Sequence, residues 1–595
     1  MSEYQAPRRD MLFLLEMLVD PERERTEAFQ ELTPDLLEAI LGEAARWAEE
    51  VLDPLYRLGD REGALLVDGQ VRVPEPIRAA YERFVQGGWG SLQFDAEWGG
   101  QGLPQLIAVA VSELWKSANL GVSLCPMLTQ AAAKTLLAHA TDELKALFLP
   151  KLVAGEWTGT MNLTESQAGS DLAAISTRAE PQDGHYRLRG RKIFVTWGDH
   201  DMTENIVHLV LARTTGAPPG VKGLSLFLVP KNLVAADGSL AGPNEVSSVS
   251  IEEKLGIHAS PTCALTYGED KGAIGYLVGE ENQGLACMFT MMNGARLSVG
   301  VEGLAVAERA YQKALRYARE RVQGQPPGHE TPAPIFHHPD VRRMLMMLKS
   351  CTEAMRALAY YSALQLDLQG AADVGRAETA RKRVMVLTPI VKGWCTELAQ
   401  ELVSLGVQIH GGMGYIEETG AAQILRDARI TTIYEGTTGI QANDLVGRKL
   451  IPDNGEALKA LLEEMAALDG ALGAAGAPLG AIRAALAQGV AAAEEAVDYV
   501  LAGSREDEQL PGAVAVNLLL LMGTLLGGWR LAHSSLVAHA ALRAQPAGDE
   551  SFLGAKLMTA RFYAEHVMPR IGGLRAAVLA GSGSVMGLSE EQFSN

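Results

Sequence analysis

The spacing of apolar residues changes twice along this chain, and these changes limit the folds that it can adopt. After Thr33-Pro34, a typical helix start, apolar residues recur at helical spacing until about residue 157. Between residues 184 and 230 the pattern becomes strand-like, and from about residue 284 the helical period returns and continues to residue 450. The order helical, β, helical predicts a multidomain α+β protein.

Three apolar stretches in the middle block are the clearest strand predictions. They are YRLRGRKIFVTW at 186–197, NIVHLVLART at 205–214 and GLSLFLVP at 223–230. The end of the chain is instead rich in alanine and leucine, with a loose stretch GALGAAGAPLGA at 470–481, and it reads as further helices. We predict an N-terminal arm at 1–35, a helical domain at 36–157, a β domain at 158–283, a helical bundle at 284–450 and a C-terminal extension, also helical, at 451–595.

Charge argues against broad binding to polyanions. The 595 residues carry a formal net charge of −20, whereas nucleic acid and anionic lipid attract an excess of cationic side chains. The C-terminal extension has 9 Lys or Arg against 16 Asp or Glu, a net charge of −7, which is a poor composition for a DNA-binding module. We therefore expect no nucleic-acid partner.

Cysteine usage and the N-terminus favour the cytoplasm. The 5 cysteines are scattered singly, without a CxxC pair, which is typical of a reducing compartment. The apolar run MLFLLEMLV at 11–19 is interrupted by Glu16 and is too short to span a bilayer. We expect an amphipathic arm, packed on the body or on a partner subunit, and no membrane span.

A lone carboxylate stands out in TTIYEGTTGIQ, residues 431–441. Glu435 lies between an aromatic residue and a glycine, in a segment otherwise made of small, uncharged and apolar residues. On composition alone the favoured interpretation is a solvated loop glutamate. The alternative is a carboxylate kept for chemistry, and that interpretation depends on the motifs around it.

Five segments in register carry a resemblance to a known family. They are MNLTESQAGSDLAAISTRAE (161–180), KIFVTWG (192–198), MMNGARLSVG (291–300), QIHGGMGY (408–415) and IYEGTTGIQ (433–441). Together they resemble the acyl-CoA dehydrogenase family over roughly residues 36–450. The opening residues, HHPDVRRML at 337–345 and the C-terminal extension are similar to the long branch of that family, which includes 3-methylmercaptopropionyl-CoA dehydrogenases.

The resemblance implies a fold and a reaction. The fold would comprise a helical domain, a β-barrel-like middle domain and a four-helix bundle, followed by an extra helical domain. The reaction would be the FAD-dependent desaturation of an acyl-CoA to its trans-2-enoyl-CoA, which needs a base on one side of the Cα–Cβ bond and a flavin on the other. Glu435 would be that base, and desolvation by the acyl chain should raise its pKa.

The resemblance also implies residues for FAD. Phe194 and Thr196 match the aromatic residue that covers the isoalloxazine ring and the threonine near its N5. The glycine-rich loop after Gln408, together with Arg321, matches residues that hold the adenine half of FAD in the neighbouring subunit. Taken alone, KIFVTW would be only a strand and the glycines only a turn. The full implied set is Met161, Leu163, Thr164, Gly169, Ser170, Phe194, Thr196, Arg321, Gln408, Gly411, Gly412, Thr437 and Gly439.

The substrate and the partners follow from the same resemblance. The implied substrate-binding residues are Ser170, Asn293, Arg296, Tyr434 and Gly436. For Arg296, a helix-surface arginine whose head reaches water is an open alternative. An electron-transfer flavoprotein is the expected electron acceptor, and the expected assembly is a homodimer or a dimer of dimers.

Other functions receive less support. His337 and His338 are adjacent, so their side chains diverge, and no spaced ligands accompany them; we predict no metal site. An acyl-CoA oxidase that passes electrons to O₂ would share the base and the fold. A flavin-bearing DNA-protective or scaffolding protein would have a basic C-terminal extension and no need for Glu435, contrary to this sequence.

Overall fold

A computed structural model describes residues 3–544 and 549–594 of the chain, and most of these residues are helical. The α-helices are α1 (Arg8–Val19), α2 (Pro34–Trp47), α3 (Tyr56–Glu62), α4 (Glu75–Gln86), α5 (Gln105–Ala118), α6 (Leu120–His139), α7 (Asp142–Ala154), α8 (Gly284–Glu320), α9 (Pro339–Leu368), α10 (Val374–His410), α11 (Ala421–Arg429), α12 (Thr438–Asn443), α13 (Glu456–Ala467), α14 (Asp469–Ala474), α15 (Gly480–Gly503), α16 (Leu510–Ala544), α17 (Glu550–His566) and α18 (Arg570–Leu579).

The strands are short and lie mostly in the middle of the chain. They are β1 (Leu65–Val67), β2 (Gln70–Arg72), β3 (Thr158–Asn162), β4 (Arg178–Gln182), β5 (His185–Thr196), β6 (Ile206–Thr214), β7 (Ser225–Pro230), β8 (Asn232–Val234), β9 (Leu240–Pro243), β10 (Val246–Ile251), β11 (Thr262–Tyr267) and β12 (Ala273–Val278).

The chain forms two compact units, which are described separately. Unit 1 comprises residues 1–3, 46–104 and 114–298, and unit 2 comprises residues 4–45, 105–113 and 299–595. The division falls within α2, α5 and α8, so all of the β-sheet belongs to unit 1.

An eight-stranded sheet dominates unit 1. The strand order is β10-β11-β5-β12-β7-β6-β3, and β4 pairs with both β5 and β6. Pairing is antiparallel except where β6 runs parallel to β3 and β4. Strand β6 is buried on both faces: Leu209 and Leu211 join a core shared with helices, while Val210 and Ala212 join a second core within the sheet.

Unit 2 is built from long helices. Glycines on α8 let it approach α10 closely: a Cβ at Gly300 would lie 2.6 Å from Val391 Cγ1, and one at Gly303 would lie 2.6 Å from the Cys395 carbonyl oxygen. The apolar N-terminal run forms α1, which packs against α9 and α16 of its own chain.

A buried ionic network crosses unit 2. The Arg356 guanidinium on α9 donates to Glu113, Glu308 and Asp10, at 2.7, 2.6 and 2.6 Å respectively. Lys556 on α17 donates to the other oxygen of Asp10 and to Glu353, the latter at 2.7 Å. Burial acts to raise the pKa of Asp10, but the two cations outweigh it and hold that pKa well below its usual value. The network thus links the first helix of the chain to the C-terminal extension.

The most apolar helix is α16, in the C-terminal extension. Among the residues that the structure describes, it is the one helix long and apolar enough to cross a membrane by length and composition. However, 67% of its most apolar window is buried inside the protein. Its composition therefore fits the central helix of a helical core.

Most sequence predictions of local structure are confirmed. Strands β5, β6 and β7 lie within one or two residues of the predicted stretches, and α2 begins at Pro34 with the Thr33 hydroxyl accepting a bond from the Leu36 N–H. The loose stretch 470–481 differs: it contains α14 and a 3₁₀ turn, because Leu472 and Leu479 are buried and anchor the glycine-rich backbone. The predicted multidomain α+β fold class is confirmed.

Candidate active site

In unit 1, strand β3 leads into the first predicted flavin segment. Residues at alternate positions of a strand face opposite sides, and Thr160 and Asn162 are fully buried. Thr160 Oγ1 and His208 Nδ1 are hydrogen-bonded at 2.7 Å, and the Tyr267 hydroxyl donates to Asn162 Oδ1 at 2.9 Å. These bonds fix the inner face of the strand. Met161 and Leu163, which were predicted to bind FAD, are half-buried.

A buried ion pair fixes the loop that follows β3. The Glu165 carboxylate accepts hydrogen bonds from Lys192 Nζ at 2.8 Å and from the backbone and hydroxyl of both Ser176 and Thr177. Burial acts to raise the pKa of Glu165, but the Lys192 ammonium and the hydroxyl donors outweigh it and lower that pKa to about 2. Burial lowers the pKa of Lys192 to about 8, so both groups are charged at neutral pH.

Strand β5 holds the same loop through its backbone. Lys192 Nζ also donates to the Leu163 carbonyl at 2.9 Å, and the Ile193 N–H donates to the Thr164 carbonyl at 2.9 Å. The next residue, Phe194, has a left-handed backbone with φ of 57° and is 59% exposed. A bulky residue in this conformation is strained and costs about 1–3 kcal/mol, which often marks a functional position.

The remaining unit 1 candidates lie on the surface or on α8. Gly169 and Ser170 are exposed, and a Cβ at Gly169 would have no neighbour within 4 Å. Thr196 is the last residue of β5 and is half-buried. Arg296 is only 3% exposed, and its Nη1 donates to Asn293 Oδ1 at 3.5 Å. The alternative of a surface arginine reaching into water is therefore wrong for Arg296.

In unit 2, Glu435 lies on an unusual loop between α11 and α12. Its side chain is half-buried, and its φ of 56° is left-handed, as is the φ of 89° at Gly436. The carbonyl of Glu435 accepts a bond from Gln441 Nε2 at 3.0 Å, and the carbonyl of Gly436 accepts one from Lys392 Nζ at 2.7 Å. These two hydrogen bonds fix the two peptide groups that follow the Glu435 Cα.

Three more side chains hold this loop and the two helices that flank it. The Tyr434 hydroxyl donates to Glu302, a carboxylate on α8 with no exposed surface. Burial raises the pKa of Tyr434 well above its usual value, and Glu302 acts in the same direction, so the phenol keeps its proton. The Thr438 hydroxyl donates to Glu397, and Gln400 Nε2 donates to the Ala428 carbonyl at 2.8 Å.

The other predicted FAD residues of unit 2 occupy different environments. Thr437 caps α12 by accepting a bond from the Ile440 N–H at 3.3 Å, and Gly439 lies in the first turn of that helix. Gln408, Gly411 and Gly412 are exposed at the end of α10. Arg321 is also exposed, and its Nη2 donates to Gln323 at 3.1 Å.

Sequence reasoning missed the residues that support the two loops. In unit 1 they are Glu165 and Lys192, which lie inside the quoted motifs but received no role. In unit 2 they are Glu302, Lys392, Glu397, Gln400 and Gln441. One signal was available: Lys392 is a lone charge in the apolar run TPIVKGWC, the same kind of anomaly that singled out Glu435.

Four family models match successive parts of the chain between residues 35 and 589. The N-terminal, middle and C-terminal domains of acyl-CoA dehydrogenase match residues 35–156, 160–269 and 282–450, and a model described as acetyl-CoA dehydrogenase C-terminal like matches residues 457–589. The chain belongs to the acyl-CoA dehydrogenase family. It is therefore an oxidoreductase that acts on acyl-CoA thioesters with FAD as its cofactor.

Similar proteins cover this dehydrogenase almost completely. A 3-methylmercaptopropionyl-CoA dehydrogenase of Ruegeria pomeroyi is 49% identical over 95% of this chain and 96% of its own. A broad-specificity linear acyl-CoA dehydrogenase, FadE5 of Mycobacterium tuberculosis, is 36% identical over the full length of both chains. The crystal structure of Caenorhabditis elegans ACDH-11 in complex with C11-CoA has a TM-score of 0.77 at 22% identity, covering 95% of this chain and 92% of its own, and shows the shared fold.

The surface around Phe194 has the features that FAD binding requires. Phe194 presents an aromatic ring from a strained backbone, beside a loop that a buried ion pair fixes, and Gly169 leaves open space where a side chain would project. An open, rigid backbone with an exposed aromatic residue suits a planar ring system and a pyrophosphate. FAD, when bound, supplies the acceptor for the hydride of the β carbon.

Proposed function

We propose that Glu435 is the general base of this dehydrogenase and removes the proton from the α carbon of the acyl-CoA. The observation that carries the proposal is the conformation of its loop. A non-glycine residue in the left-handed region persists only where its surroundings hold it, and here side chains from the same unit bind the carbonyls of Glu435 and Gly436. A base held in one position removes a proton faster than one that must find its orientation.

The neighbours of Glu435 have supporting roles in this proposal. Tyr434 and Gly436 border the substrate: the phenol is kept protonated by burial and Glu302, and the glycine lets the backbone approach the thioester closely. In unit 1, we assign Asn293 and Arg296 to the substrate mouth and Ser170 to the CoA phosphates. The backbone N–H of Glu435 stabilises the thioester oxygen as negative charge develops on it, and the loss of such a donor typically costs ~10²–10³ in rate.

On the flavin side, we assign the ring contacts to unit 1. Met161, Leu163, Thr164 and the Gly169-Ser170 turn line the isoalloxazine and pyrophosphate, with Phe194 covering the ring and Thr196 near its N5. In unit 2, we assign Thr437 and Gly439, at the start of α12, as further FAD-binding residues. The half-buried or exposed state of these residues is consistent with surfaces that a ligand covers.

The proposed substrate is a short acyl-CoA, with 3-methylmercaptopropionyl-CoA first among the candidates. This choice rests on a relative that is 49% identical over nearly the whole chain and is named for that substrate. A linear fatty acyl-CoA, consumed in β-oxidation, is the second candidate, because a full-length relative at 36% identity is named for linear acyl-CoAs.

We further propose a homodimer, or a dimer of dimers, in which each subunit completes the FAD site of its neighbour. Arg321, Gln408, Gly411 and Gly412 are exposed on the single chain, as residues that meet a neighbour's cofactor would be. An electron-transfer flavoprotein is the proposed acceptor. The proposed location is the cytoplasm, where the five buried free cysteines would stay reduced.

A panel of acyl-CoAs with an artificial electron acceptor tests this function. For Glu435→Gln we expect bound FAD at the wild-type level but a loss of about 10³-fold in turnover, within the range for a missing general base. The matched control is Glu418→Gln, which changes an exposed glutamate shortly before α11 and should keep full activity. A Glu435→Gln enzyme that works at near wild-type rate would exclude Glu435 as the base.

The same panel separates the candidate substrates and acceptors. If kcat/KM is highest with 3-methylmercaptopropionyl-CoA, that compound is supported as the substrate. If kcat/KM stays constant or rises with acyl-chain length, a linear fatty acyl-CoA is supported instead. Oxygen consumption is measured in parallel without the artificial acceptor. Oxygen consumption as fast as the turnover seen with the artificial acceptor would identify an oxidase. It would contradict the proposal that an electron-transfer flavoprotein is the acceptor.

A further inference from the structure

The C-terminal extension contacts the bundle of unit 2 through glycines on α16. A Cβ at Gly523 would lie 2.1 Å from Cγ of Trp394 on α10, and a Cβ at Gly527 would lie 2.8 Å from Cη2 of the same indole. On the α10 side, a Cβ at Gly393 would lie 2.8 Å from Leu519 Cδ2. Glycines are thus required on both helices: the buried indole of Trp394 fills the space beside Gly523 and Gly527, and Leu519 fills the space beside Gly393.

The residues of α10 near Trp394 hold the Glu435 loop. Lys392 lies two positions before Trp394, about 200° around the helix, and donates to the Gly436 carbonyl at 2.7 Å. Further along α10, Glu397 accepts a hydrogen bond from the Thr438 hydroxyl, and Gln400 donates one to the Ala428 carbonyl. Helix α10 therefore packs against α16 on one side and carries the Glu435 loop on another.

Helix α12 connects the two directly. It follows the Glu435 loop, and its Gln441 donates to the Glu435 carbonyl at 3.0 Å. The same helix packs against α16. Both supports of the loop, Lys392 from α10 and Gln441 from α12, therefore come from helices that rest on the C-terminal extension.

We propose that the C-terminal extension is a positioning element for the general base. Helix α16 fixes α10 at Trp394 and packs against α12, and those two helices fix the strained backbone of Glu435. The inference rests on the proposed function, since it takes Glu435 to be the base. Small displacements matter in such a site, because an error of about 1 Å in the position of a catalytic group can cost ~10²-fold in rate.

The test compares two glycines on α16 in the full-length holoenzyme. Gly523→Ala pushes against Trp394 of α10, whereas Gly528→Ala pushes against Met568 inside the extension, 2.6 Å from its Sδ. Flavin bleaching is followed by stopped flow at saturating 3-methylmercaptopropionyl-CoA, and again with butyryl-CoA, alongside FAD content and thermal stability. We expect Gly523→Ala to slow bleaching about 10-fold with unchanged KM and FAD content, and Gly528→Ala to lower stability only.

Two further variants keep the test decisive if Gly523→Ala does not fold. Lys392→Met removes the donor to the Gly436 carbonyl and should slow bleaching about 10–100-fold, again with FAD retained. Gly527→Ala should slow it less, because its Cβ would lie 2.8 Å from Cη2 of Trp394 and 2.9 Å from the Tyr563 hydroxyl. Adding both Trp394→Phe and Tyr563→Phe, which remove those two atoms, should restore the rate. A general loss of stability would not be repaired in this way.

Two outcomes overturn the inference. One is an equal effect of Gly523→Ala and Gly528→Ala on the bleaching rate, in proportion to their loss of stability. The other is an unchanged rate in Lys392→Met. Glu435→Gln is measured beside them: if it is inactive while these variants are unaffected, only the positioning role fails, and if it remains active, the proposed base itself fails.

Discussion

The two loops that carry the candidate site are held in different ways. In unit 1, the loop after β3 is fixed by partners that are near in sequence: Glu165 contacts Ser176, Thr177 and Lys192, at most 27 residues away. In unit 2, the loop of Glu435 is fixed by Lys392 and Glu302, whose contacts with Gly436 and Tyr434 span 44 and 132 residues. The first loop is a local ionic clamp, and the second is assembled from distant helices.

This difference predicts that the two loops fail differently. Breaking the clamp should release the flavin segment, because one ion pair fixes most of it. Weakening the Glu435 loop should slow the chemistry while FAD stays bound, because several helices share that task. Two measurements test this contrast, and a third tests the strand that precedes the clamp.

The largest effect is expected for Lys192→Met. The substitution leaves the buried Glu165 carboxylate without its cation, and removal of one partner of a buried ion pair typically costs about 3–5 kcal/mol. We expect purified Lys192→Met to contain little FAD and to unfold at a lower temperature. FAD absorbance per protein and thermal unfolding measure both. Wild-type FAD content in this variant would show that the clamp does not organise the flavin segment.

A smaller effect is expected for Tyr434→Phe. It removes the donor to Glu302, and a hydrogen bond to a charged group contributes about 1.5–3 kcal/mol. We expect kcat to fall roughly 10-fold with FAD content unchanged, the opposite pattern to Lys192→Met. Steady-state kinetics on FAD-saturated enzyme provide the measurement. Loss of FAD from Tyr434→Phe would remove the distinction between the two loops.

The smallest effect concerns the pH dependence of folding stability near β3, the strand that precedes the clamp. Burial lowers the pKa of both His200 and His208 to about 3, below the ordinary value of 6.5. Between those values the unfolded chain binds more protons than the folded one, so stability falls as the pH drops below about 6.5, at roughly 1 kcal/mol per histidine per pH unit once the unfolded histidines are protonated.

Thermal unfolding at pH 7 and pH 5 measures that dependence. His208→Gln removes one of the two titrating groups and should reduce the downward shift of the unfolding temperature between the two pH values. Asp237→Asn changes an exposed carboxyl in the same unit and serves as the control, with a shift close to that of the wild type. An identical shift in wild type and His208→Gln would contradict the neutral, buried state of His208.

The contrast between the loops also explains what the sequence could predict. Strands β5, β6 and β7 were predictable because their apolar runs and turns are local signals. The motifs around Thr164, Phe194 and Glu435 are local signals too, and the roles assigned to them stay predictions. Lys392 and Glu302 were not predictable, because helical periodicity says which residues share a face but not which distant loop that face meets. The helical turns in 470–481 were also missed, because tertiary burial of two leucines overrides the flexibility of glycine.

The burial of Arg296 shows a further limit of local reasoning. A long cationic side chain on a helix is usually placed at the surface from composition alone. Its burial depends on the elements packed around α8, which no local pattern of the sequence specifies.

The ionic network of Asp10 has a consequence for biosynthesis. Asp10 is synthesised 546 residues before Lys556, one of its two cationic partners. During translation the opening helix thus carries a carboxylate that lacks this partner until the final helices have emerged. The ionic network of unit 2 can therefore form only after residue 556 has been synthesised, so this unit is not completed early in translation.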